Sequence, residues 1–286
     1  MRGGSPERGP EEKRHGASDR PQNHMRAGDH RHRPGRLTVV GLGPGSAELL
    51  APQALAALDR SRAVVGYDRY VALVDPALLA GKTVFTSPMK KEMDRAAKAV
   101  DFALSGLDTV VVSSGDSGIY GMAGLMLEHL ERNGLLETVE LDVVPGIPAL
   151  CAAAALLGAP LMHDFACISL SDLLTPLDLI MRRVRAAADA DFVMVFYNPR
   201  SRKRASHLEE ALRLTSSRRG PETPVGFVRN AFRPDQEVRT ATLGRCDPAW
   251  ADMLSIVMVG NSASRLAGNK IITPRGYYEK YAPADG

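Results

Sequence analysis

The stretch LTVVGLGPGSAELLAPQALAALDRSRAVVGY, residues 37–67, contains the pattern that decides the fold. A short apolar run, LTVV, is followed by a glycine-rich turn, by apolar residues at helical spacing, and by a second apolar run, AVVGY at 63–67. Pro52 suits the first position of the intervening helix, because its missing N–H would have no partner there. The stretch therefore predicts a strand, a helix and a second strand in succession.

The same alternation of strand and helix patterns continues to residue 144. Helix-spaced apolar residues run from Met93 to Leu104 and from Ile119 to Leu130. They separate further apolar runs at 82–86, 109–115 and 139–144. Both faces of these runs are apolar, which indicates a mainly parallel sheet covered by helices on both sides. We therefore predict a first α/β domain over residues 37–144.

A second α/β domain is predicted over residues 145–286. The segment PGIP at 145–148 opens an Ala- and Leu-rich helix that extends to about Leu157. Later strands are expected near 165–170, 191–197, 223–228, 237–243 and 255–260. The turn at 231–235 is too short for a parallel crossover, so this sheet is expected to be mixed. Two-domain α/β proteins commonly bind their ligand in the cleft between the domains, at the carboxyl ends of strands.

Composition separates the first residues from the rest of the chain. Hydrophobic residues make up 44% and charged residues 24% of 286 residues, which fits a globular enzyme of two domains and excludes collagens and coiled coils. Residues 1–36 carry nine basic and five acidic side chains, and the remainder has a formal charge of −1. This balance gives no support for nucleic-acid binding. Rich in Arg, Gly, Pro and His, residues 1–36 are predicted to be a disordered leader.

Further classes are excluded by what the sequence lacks. No apolar run reaches the roughly 18–20 residues that a membrane span needs. Cys151, Cys167 and Cys246 are odd in number and form no CxxC motif, so we expect small buried or partly buried thiols, no metal site and a reducing cytoplasm. No Ser/His/Asp triad, Walker loop or HExxH motif is present. The absence of these motifs is informative only if the reaction needs no protein nucleophile.

The glycine loop GLGPG at 41–45 follows the first strand, and its glycines permit a ligand to approach the backbone closely. A dinucleotide fingerprint would require G-x-G-x-x-G, but position 46 is Ser, and Pro44 lacks the N–H that a diphosphate would use. The loop is therefore either a tight turn without a ligand or the wall of a site for a non-phosphate ligand.

The segment SSGDSGIYGMAG at 113–124 places one carboxylate among Gly and Ser at the end of a valine-rich strand. Asp116 would lie beside free backbone amides, an arrangement that can hold an amino acid or a ribose by hydrogen bonds. A structural Asx turn before a helix explains the same residues. Both interpretations remain open at the level of sequence.

Two basic clusters follow predicted strands. YNPRSRKR at 197–204 and PMKKEMDR at 88–95 each end a strand, and Arg pairs with carboxylates in a bidentate way. The clusters therefore suit a ligand with several carboxylates at the mouth of a cleft. A solvated helix start explains the cluster at 197–204 equally well, and an exposed helix face is the favoured explanation of the cluster at 88–95.

Together VVGLGPG, GDSGIYGMAG, VVPGIPA and FYNPRSRKR, in this order, resemble the tetrapyrrole methylase family, which are S-adenosylmethionine-dependent methyltransferases with two α/β domains. The resemblance covers about residues 37–281. Within the family, GDSGIYGMAG and YNPRSRKR are most similar to the enzymes that methylate C17 of a corrin precursor, with ring contraction, in cobalamin biosynthesis. The resemblance implies the family's fold, S-adenosylmethionine as cofactor, a tetrapyrrole substrate, and a cytoplasmic homodimer without nucleic-acid or membrane partners.

The resemblance also carries over a set of binding residues by motif position. For the cofactor these are Pro44, Ser114, Gly115, Asp116, Ile119, Pro148, Ala149, Asn198 and Ala231. The natural counter-charges of a carboxylate-rich substrate are Lys90, Lys91, Arg200, Arg202, Lys203 and Arg204. No catalytic acid or base is assigned. The sequence leaves open whether the substrate contains cobalt. It also leaves open another methylase of the family, an NAD-binding oxidoreductase and a non-catalytic tetrapyrrole carrier.

Overall fold

The computed structural model describes residues 33–201 and 204–281. The prediction of a disordered leader falls mostly on residues 1–32, which lie outside the described residues. The predicted substrate-binding residues Arg202 and Lys203 lie outside them as well.

The last two residues of the predicted leader are bound to the body of the protein. The backbone N–H of Gly35, which is buried, donates to the carbonyl of Ala103 at 2.8 Å. The guanidinium of Arg36 forms ion pairs with Glu140 at 3.1 Å and with Asp142 at 2.9 Å. The folded body therefore begins earlier than the composition suggests, because a backbone hydrogen bond and ion pairs, not apolar side chains, hold these two residues.

The first sheet consists of five parallel strands: β1 (Leu37–Gly41), β2 (Ala63–Tyr67), β3 (Thr83–Ser87), β4 (Thr109–Ser113) and β5 (Leu141–Val144). Their order in the sheet is β3-β2-β4-β1-β5. The predicted parallel sheet is confirmed. Strand β4 ends before the predicted residue 115, because its glycine-rich end leaves the ladder and becomes a loop.

Helices cover both faces of this sheet: α1 (Pro52–Arg60), α2 (Asp68–Val71), α3 (Pro76–Leu79), α4 (Glu92–Leu104) and α5 (Ala123–Arg132). On one face Val39 and Val111 pack with α4 and α5, and on the other Val40 and Val112 pack with α1 and α2. Successive strand side chains point to opposite faces, so valine at consecutive positions supplies both cores.

Helix α5 begins at Ala123, and the prediction that it starts at Ile119 is wrong. The N–H groups of Gly118 and Ile119 are bound to the carboxylate of Asp116, and the N–H of Ala123 donates to the carbonyl of Ser117 at 3.0 Å. These bonds fold the segment between β4 and α5 into a loop, so Ile119 has a helical spacing in the sequence without lying in the helix.

The second half of the chain begins with α6 (Ala149–Leu157) and the short strand β6 (Gly158–Ala159). A five-stranded sheet follows: β7 (Phe165–Ser169), β8 (Val193–Tyr197), β9 (Pro224–Arg229), β10 (Glu237–Thr242) and β11 (Ser255–Val259). Its order is β10-β9-β11-β8-β7, in which only β7 and β8 pair in parallel. The predicted mixed sheet, with β9 and β10 antiparallel, is confirmed.

Helices α7 (Leu177–Asp189) and α8 (Ser206–Ser216) pack on one face of this sheet around Phe196, Met194 and Leu208. On the other face lies α6, with Leu150 and Leu157 against Val195 and Val228. Helix α6 thus leads from the end of the first sheet to the inner face of the second.

A third, three-stranded sheet was not expected from the sequence. It has the order β12-β13-β6, with β12 (Arg265–Ala267) and β13 (Lys270–Ile272), and the described chain ends with α9 (Tyr277–Tyr281). Strands of two or three residues are too short to show the alternation by which a strand is recognised.

Candidate ligand-binding cleft

The loops that follow β1, β4 and β5 meet at glycines. Gly43 and Gly115 exchange backbone hydrogen bonds of 3.0 and 2.8 Å. A Cβ atom on Gly41 would lie 2.6 Å from the backbone nitrogen of Gly146, and one on Gly146 would overlap the carbonyl oxygen of Gly115. The backbones at Gly41 and Gly146 approach each other more closely than a side chain allows, and Gly43 and Gly115 have positive φ angles of 67° and 66°, which explains glycine at these positions.

Asp116 ties two of these loops together. One carboxylate oxygen accepts the N–H groups of Gly118 at 2.8 Å and Ile119 at 3.2 Å, and the other accepts the N–H of Gly146 at 3.1 Å. The structural alternative considered for this residue, an Asx-type turn, is therefore present. Asp116 nevertheless lies on the wall of a cavity.

The cavity has a volume of about 180 Å³ and lies between the two five-stranded sheets, at the carboxyl ends of β1, β4, β8 and β9. Eight of the nine residues expected at a cofactor site line it: Pro44, Ser114, Gly115, Asp116, Ile119, Ala149, Asn198 and Ala231. The ninth, Pro148, is not part of the lining and lies directly behind Gly115, where a Cβ atom on that glycine would be 3.7 Å from the Pro148 Cα.

Three of the non-glycine residues on the cavity wall have a left-handed backbone: Tyr120 at φ 53°, Asn198 at φ 51° and Asn230 at φ 48°. This conformation costs of order 1 kcal/mol or more for each residue and persists where surrounding contacts require it. The amide of Asn198 donates to the hydroxyl of Ser169 at 3.0 Å. The wall is thus fixed in shape by hydrogen bonds, not by favourable local backbone geometry.

Two tyrosines close one side of the cavity. The rings of Tyr120 and Tyr197 are 5.1 Å apart, the Tyr120 hydroxyl donates to the carbonyl of Cys167 at 3.2 Å, and the Tyr197 hydroxyl accepts the N–H of Leu150 at 2.9 Å. Burial raises the pKa of Tyr120 to about 12 and also raises that of Tyr197. Both hydroxyls are therefore neutral near neutral pH.

Arg233 also lines the cavity, and no sequence motif points to it. Its Nε donates to the carbonyl of Pro44 at 2.6 Å, and its Nη2 donates to the Ser114 hydroxyl at 3.2 Å. Burial lowers the pKa of Arg233 and raises that of Tyr70, another residue of the wall, and the attraction between the two opposes both shifts. The arginine escapes recognition in the sequence because its partners lie more than 100 residues away along the chain.

A larger groove of about 570 Å³ adjoins the cavity. Met253 and Leu254 line both spaces. Arg200, one of the expected substrate-binding residues, lines the groove together with Arg69, which was not expected there from the sequence. Arg69 belongs to α2, so the groove, like the cavity, has walls from both halves of the chain.

The other basic residues expected at a substrate site are placed differently. The side chain of Arg204 is only 12% exposed; it lies 3.7 Å from Asp172 and donates to the carbonyl of Leu170 at 3.4 Å. Lys91 forms an exposed ion pair with Asp94 at 3.0 Å, and Lys90 is exposed beside it. Neither lysine lines the cavity or the groove.

Within residues 33–201 and 204–281, no cluster of three or more His, Cys, Asp or Glu side chains is suited to a metal ion. In the same part of the chain no helix has the length and apolar character to cross a membrane. Cys167 and Cys246 are partly buried as expected, whereas Cys151 is exposed, so the expectation of burial is wrong for that residue. Cys151 directly follows the buried Leu150 on α6, so its side chain points to a different side of the helix.

The fold and the cleft define an α/β protein that can take a small molecule between two sheets. A family model described as Tetrapyrrole (Corrin/Porphyrin) Methylases matches residues 36–247. The chain therefore belongs to the tetrapyrrole methylase family, and the resemblance seen in the sequence is confirmed.

Individual relatives agree with this assignment. The chain is 47% identical over 241 residues to a probable cobalt-factor III C(17)-methyltransferase of Salmonella typhimurium, covering 84% of this chain and 99% of that one. The crystal structure of the methyltransferase CobJ superimposes with a TM-score of 0.80 at 41% identity, covering 84% of this chain and all of that one. A uroporphyrin-III C-methyltransferase of Thermus thermophilus, complexed with S-adenosylhomocysteine, has a TM-score of 0.60 at 26% identity over 79% of this chain and 97% of that one.

Proposed function

We propose that this protein transfers a methyl group from S-adenosylmethionine to C17 of precorrin-3B or of its cobalt-containing form, with ring contraction, in cobalamin biosynthesis. The observation that carries the proposal is the junction of a small cavity and a larger groove at Met253 and Leu254. A methyl donor in the cavity and an acceptor in the groove would meet there. The family membership and the methyltransferase relatives support the same reaction.

S-adenosylmethionine supplies a methyl group on a sulfonium, and the transfer breaks the sulfur–methyl bond as the new carbon–methyl bond forms. Such an in-line displacement disperses charge in its transition state and needs alignment and a dry site more than a protein nucleophile. The residues of the cleft suit this requirement. Gly115, Asn198 and Ala231 line the cavity, and the neutral phenols of Tyr120 and Tyr197 close one side of it.

The residues present also fit the cofactor. Gly43 and Gly115 approach each other closely and Pro44 is buried, so backbone atoms form this part of the cavity wall. Backbone N–H and carbonyl groups suit the recognition of an uncharged nucleoside by hydrogen bonds. Ser114 and Asn198 add side-chain hydrogen-bonding groups. We propose that the cofactor is held by the residues named from the sequence, with Pro148 acting from behind Gly115.

The tetrapyrrole would occupy the groove. Its carboxylates would pair with Arg69 and Arg200, which face the groove from the two halves of the chain. Lys90 and Lys91, after β3, and Arg202 and Lys203, after β8, remain proposed contacts of the substrate's periphery. Arg204 is reassigned: its pairing with Asp172 makes it a support of the groove wall.

The same proposal includes three further points. The chain divides into domains over 37–144 and 145–286, it acts as a homodimer, and it works in the cytoplasm. Light scattering coupled to size-exclusion chromatography tests the dimer by its mass.

An incubation of the purified protein with methyl-labelled S-adenosylmethionine and either precorrin-3B or cobalt-factor III tests the activity. The expected result is one label per product molecule at C17, with faster turnover of one of the two substrates. Binding of the tetrapyrrole without transfer would indicate a carrier. A fluorescence response to NADH would instead indicate an oxidoreductase.

A further inference from the structure

Arg233 occupies a position that its hydrogen bonds explain only in part. Through Nε and Nη2 it joins the second half of the chain to Pro44 and Ser114 of the first half. A Cβ atom on Gly45 would lie 2.8 Å from its Nε, so glycine at residue 45 leaves room for the arginine in its observed position. The guanidinium is thus built into the wall between the two halves.

The charge of Arg233 has no carboxylate partner in the described part of the chain. Its contacts there are a carbonyl and a hydroxyl, both neutral. The nearby carboxylate of Asp235 accepts a hydrogen bond from the Asn230 amide at 3.2 Å and forms no ion pair with Arg233. Burial lowers the pKa of Arg233, and the attraction of Tyr70 and of the more distant Asp235 opposes this shift only in part.

The remaining donors of the guanidinium define how an anion could approach. The side edge, formed by Nε and Nη2, is occupied by Pro44 and Ser114. The end, formed by Nη1 and the second N–H of Nη2, has no partner among the described residues. A carboxylate can accept two parallel hydrogen bonds at such an end. Arg233 lines the cavity, so that carboxylate would belong to a molecule bound in it.

We infer that Arg233 binds a carboxylate of a ligand in the cleft and so links ligand binding to the contact between the two halves. The inference rests on the proposed function, which offers two sources of this group. One is the amino-acid carboxylate of S-adenosylmethionine, and the other is an acetate or propionate of the tetrapyrrole. The small cavity, in which Arg233 lies with Ser114 and Asp116, favours the first source.

The test compares three probes on Arg233→Gln, Arg233→Lys and the wild-type protein. S-adenosylhomocysteine carries the amino-acid carboxylate, and 5′-methylthioadenosine has the same nucleoside and thioether without it. Uroporphyrin supplies tetrapyrrole carboxylates. Arg132→Gln is the charge-matched control, because Arg132 is 74% exposed on α5 and pairs with Glu128. Calorimetry measures the first two probes, and fluorescence titration the third.

For Arg233→Gln, S-adenosylhomocysteine should bind about tenfold to hundredfold more weakly, which is the loss expected for a charge-assisted hydrogen bond. Methylthioadenosine should bind unchanged. Arg233→Lys keeps the charge without the planar fork and should lose less, and it serves as the second variant if the glutamine protein folds poorly. A selective loss of uroporphyrin affinity would assign the carboxylate to the substrate instead.

Equal weakening of all three probes would show that Arg233 only holds the two halves together, and unchanged affinities would show that it binds nothing. Either result overturns the inference. If the wild-type protein binds uroporphyrin but not S-adenosylhomocysteine, the proposed function fails. The uroporphyrin titration then tests the inference alone: weaker binding by Arg233→Gln supports it, and unchanged binding contradicts it.

Discussion

The carboxylate of Asp116 accepts hydrogen bonds from two loops. Its substitution should therefore affect stability as well as binding. Asp116→Ala leaves the N–H groups of Gly118, Ile119 and Gly146 without their acceptor. We expect the free energy of unfolding to fall by about 2–3 kcal/mol and the affinity for S-adenosylhomocysteine to fall with it. Denaturant titration and calorimetry measure the two effects.

The matched control for Asp116 is Asp178→Ala. Asp178 lies at the start of α7, 77% exposed and 4.0 Å from Arg182, so its loss should change the stability by less than about 0.5 kcal/mol. An Asp116 variant as stable as this control would contradict the role given to the carboxylate.

Arg200 and Arg204 belong to one basic motif but should respond differently to substitution. Arg200→Ala removes a groove cation and should raise the KM for the tetrapyrrole about tenfold at low salt, with a smaller effect as salt screens the charge. Arg204→Ala removes the partner of Asp172 and should mainly lower the melting temperature. Steady-state kinetics at two salt concentrations, with thermal melts of both variants, separates the roles. Equal KM effects would contradict the assignment.

Whether the sequence could predict the role of each of these residues depends on how far along the chain its contact partners lie. Asp116 could be selected because a strand pattern ends just before it and glycines surround it. Arg233 could not, because Pro44, its partner, lies 189 residues away and the intervening pattern gives no orientation. Arg204 was selected for its charge, but sequence does not show that Asp172 neutralises it.

At the level of elements, the crossing of the loops after β1, β4 and β5 depends on glycine and gives a direct test. Gly146→Ala would place a methyl group 2.7 Å from the backbone carbon of Gly41, with only backbone atoms around it to shift. We expect the free energy of unfolding to fall by about 2 kcal/mol or more and the binding of S-adenosylhomocysteine to be lost. Thermal denaturation and calorimetry detect these losses.

Gly124→Ala provides the contrast. Gly124 is the second residue of α5, and no atom lies within 4 Å of the position that an alanine methyl group would take, so alanine should be tolerated and should stabilise the helix by at most about 0.5–1 kcal/mol. If Gly146→Ala were as well tolerated as Gly124→Ala, the close backbone crossing would not exist in solution.

Elements were predictable where a pattern is long and local. The start of α1 at Pro52 follows from a proline, and β2 follows from AVVGY. The start of α5 did not follow, because the hydrogen bonds of Asp116 compete with the helix for the N–H groups of Gly118 and Ile119. The third sheet escaped because β6 and β13 pair across more than 100 residues and are too short to carry a pattern.

At the scale of the whole molecule, the two sheets differ in ways that suit the cleft. The first sheet is entirely parallel, so the ends of β1, β2 and β4 present their loops on one edge. In the second sheet β8 and β9 also end at the cleft, whereas the antiparallel β11 begins there and brings Ser255 and Ile256 to the wall. Loops from both halves are thereby concentrated around one cavity. This convergence was predictable as a cleft between domains, but not in its lining.

The boundary of the amino-terminal segment is also a property of the whole chain, and deletions test it. Residues 1–32 contain almost no large apolar side chains, so their removal should leave the melting temperature and methyl transfer nearly unchanged. Removal of residues 1–36 should behave differently. It deletes the hydrogen bond of the Gly35 N–H, the backbone hydrogen bond between Thr109 and Arg36, and the contacts of Arg36 with Asp108, Glu140 and Asp142.

The ion pairs of Arg36 are partly exposed and contribute little, so most of the loss should come from the backbone hydrogen bonds and the burial of Gly35. We expect the longer deletion to lower the melting temperature by roughly 3–8 °C relative to the shorter one. Arg36→Ala in the otherwise intact chain should lower it by much less, which separates the side chain from the backbone. Scanning calorimetry of the three proteins measures the melting temperatures. Equal melting temperatures for the two deletions would assign residues 33–36 to the leader, as their composition alone suggests. A lower melting temperature already in the shorter deletion would show that residues 1–32 stabilise the folded protein.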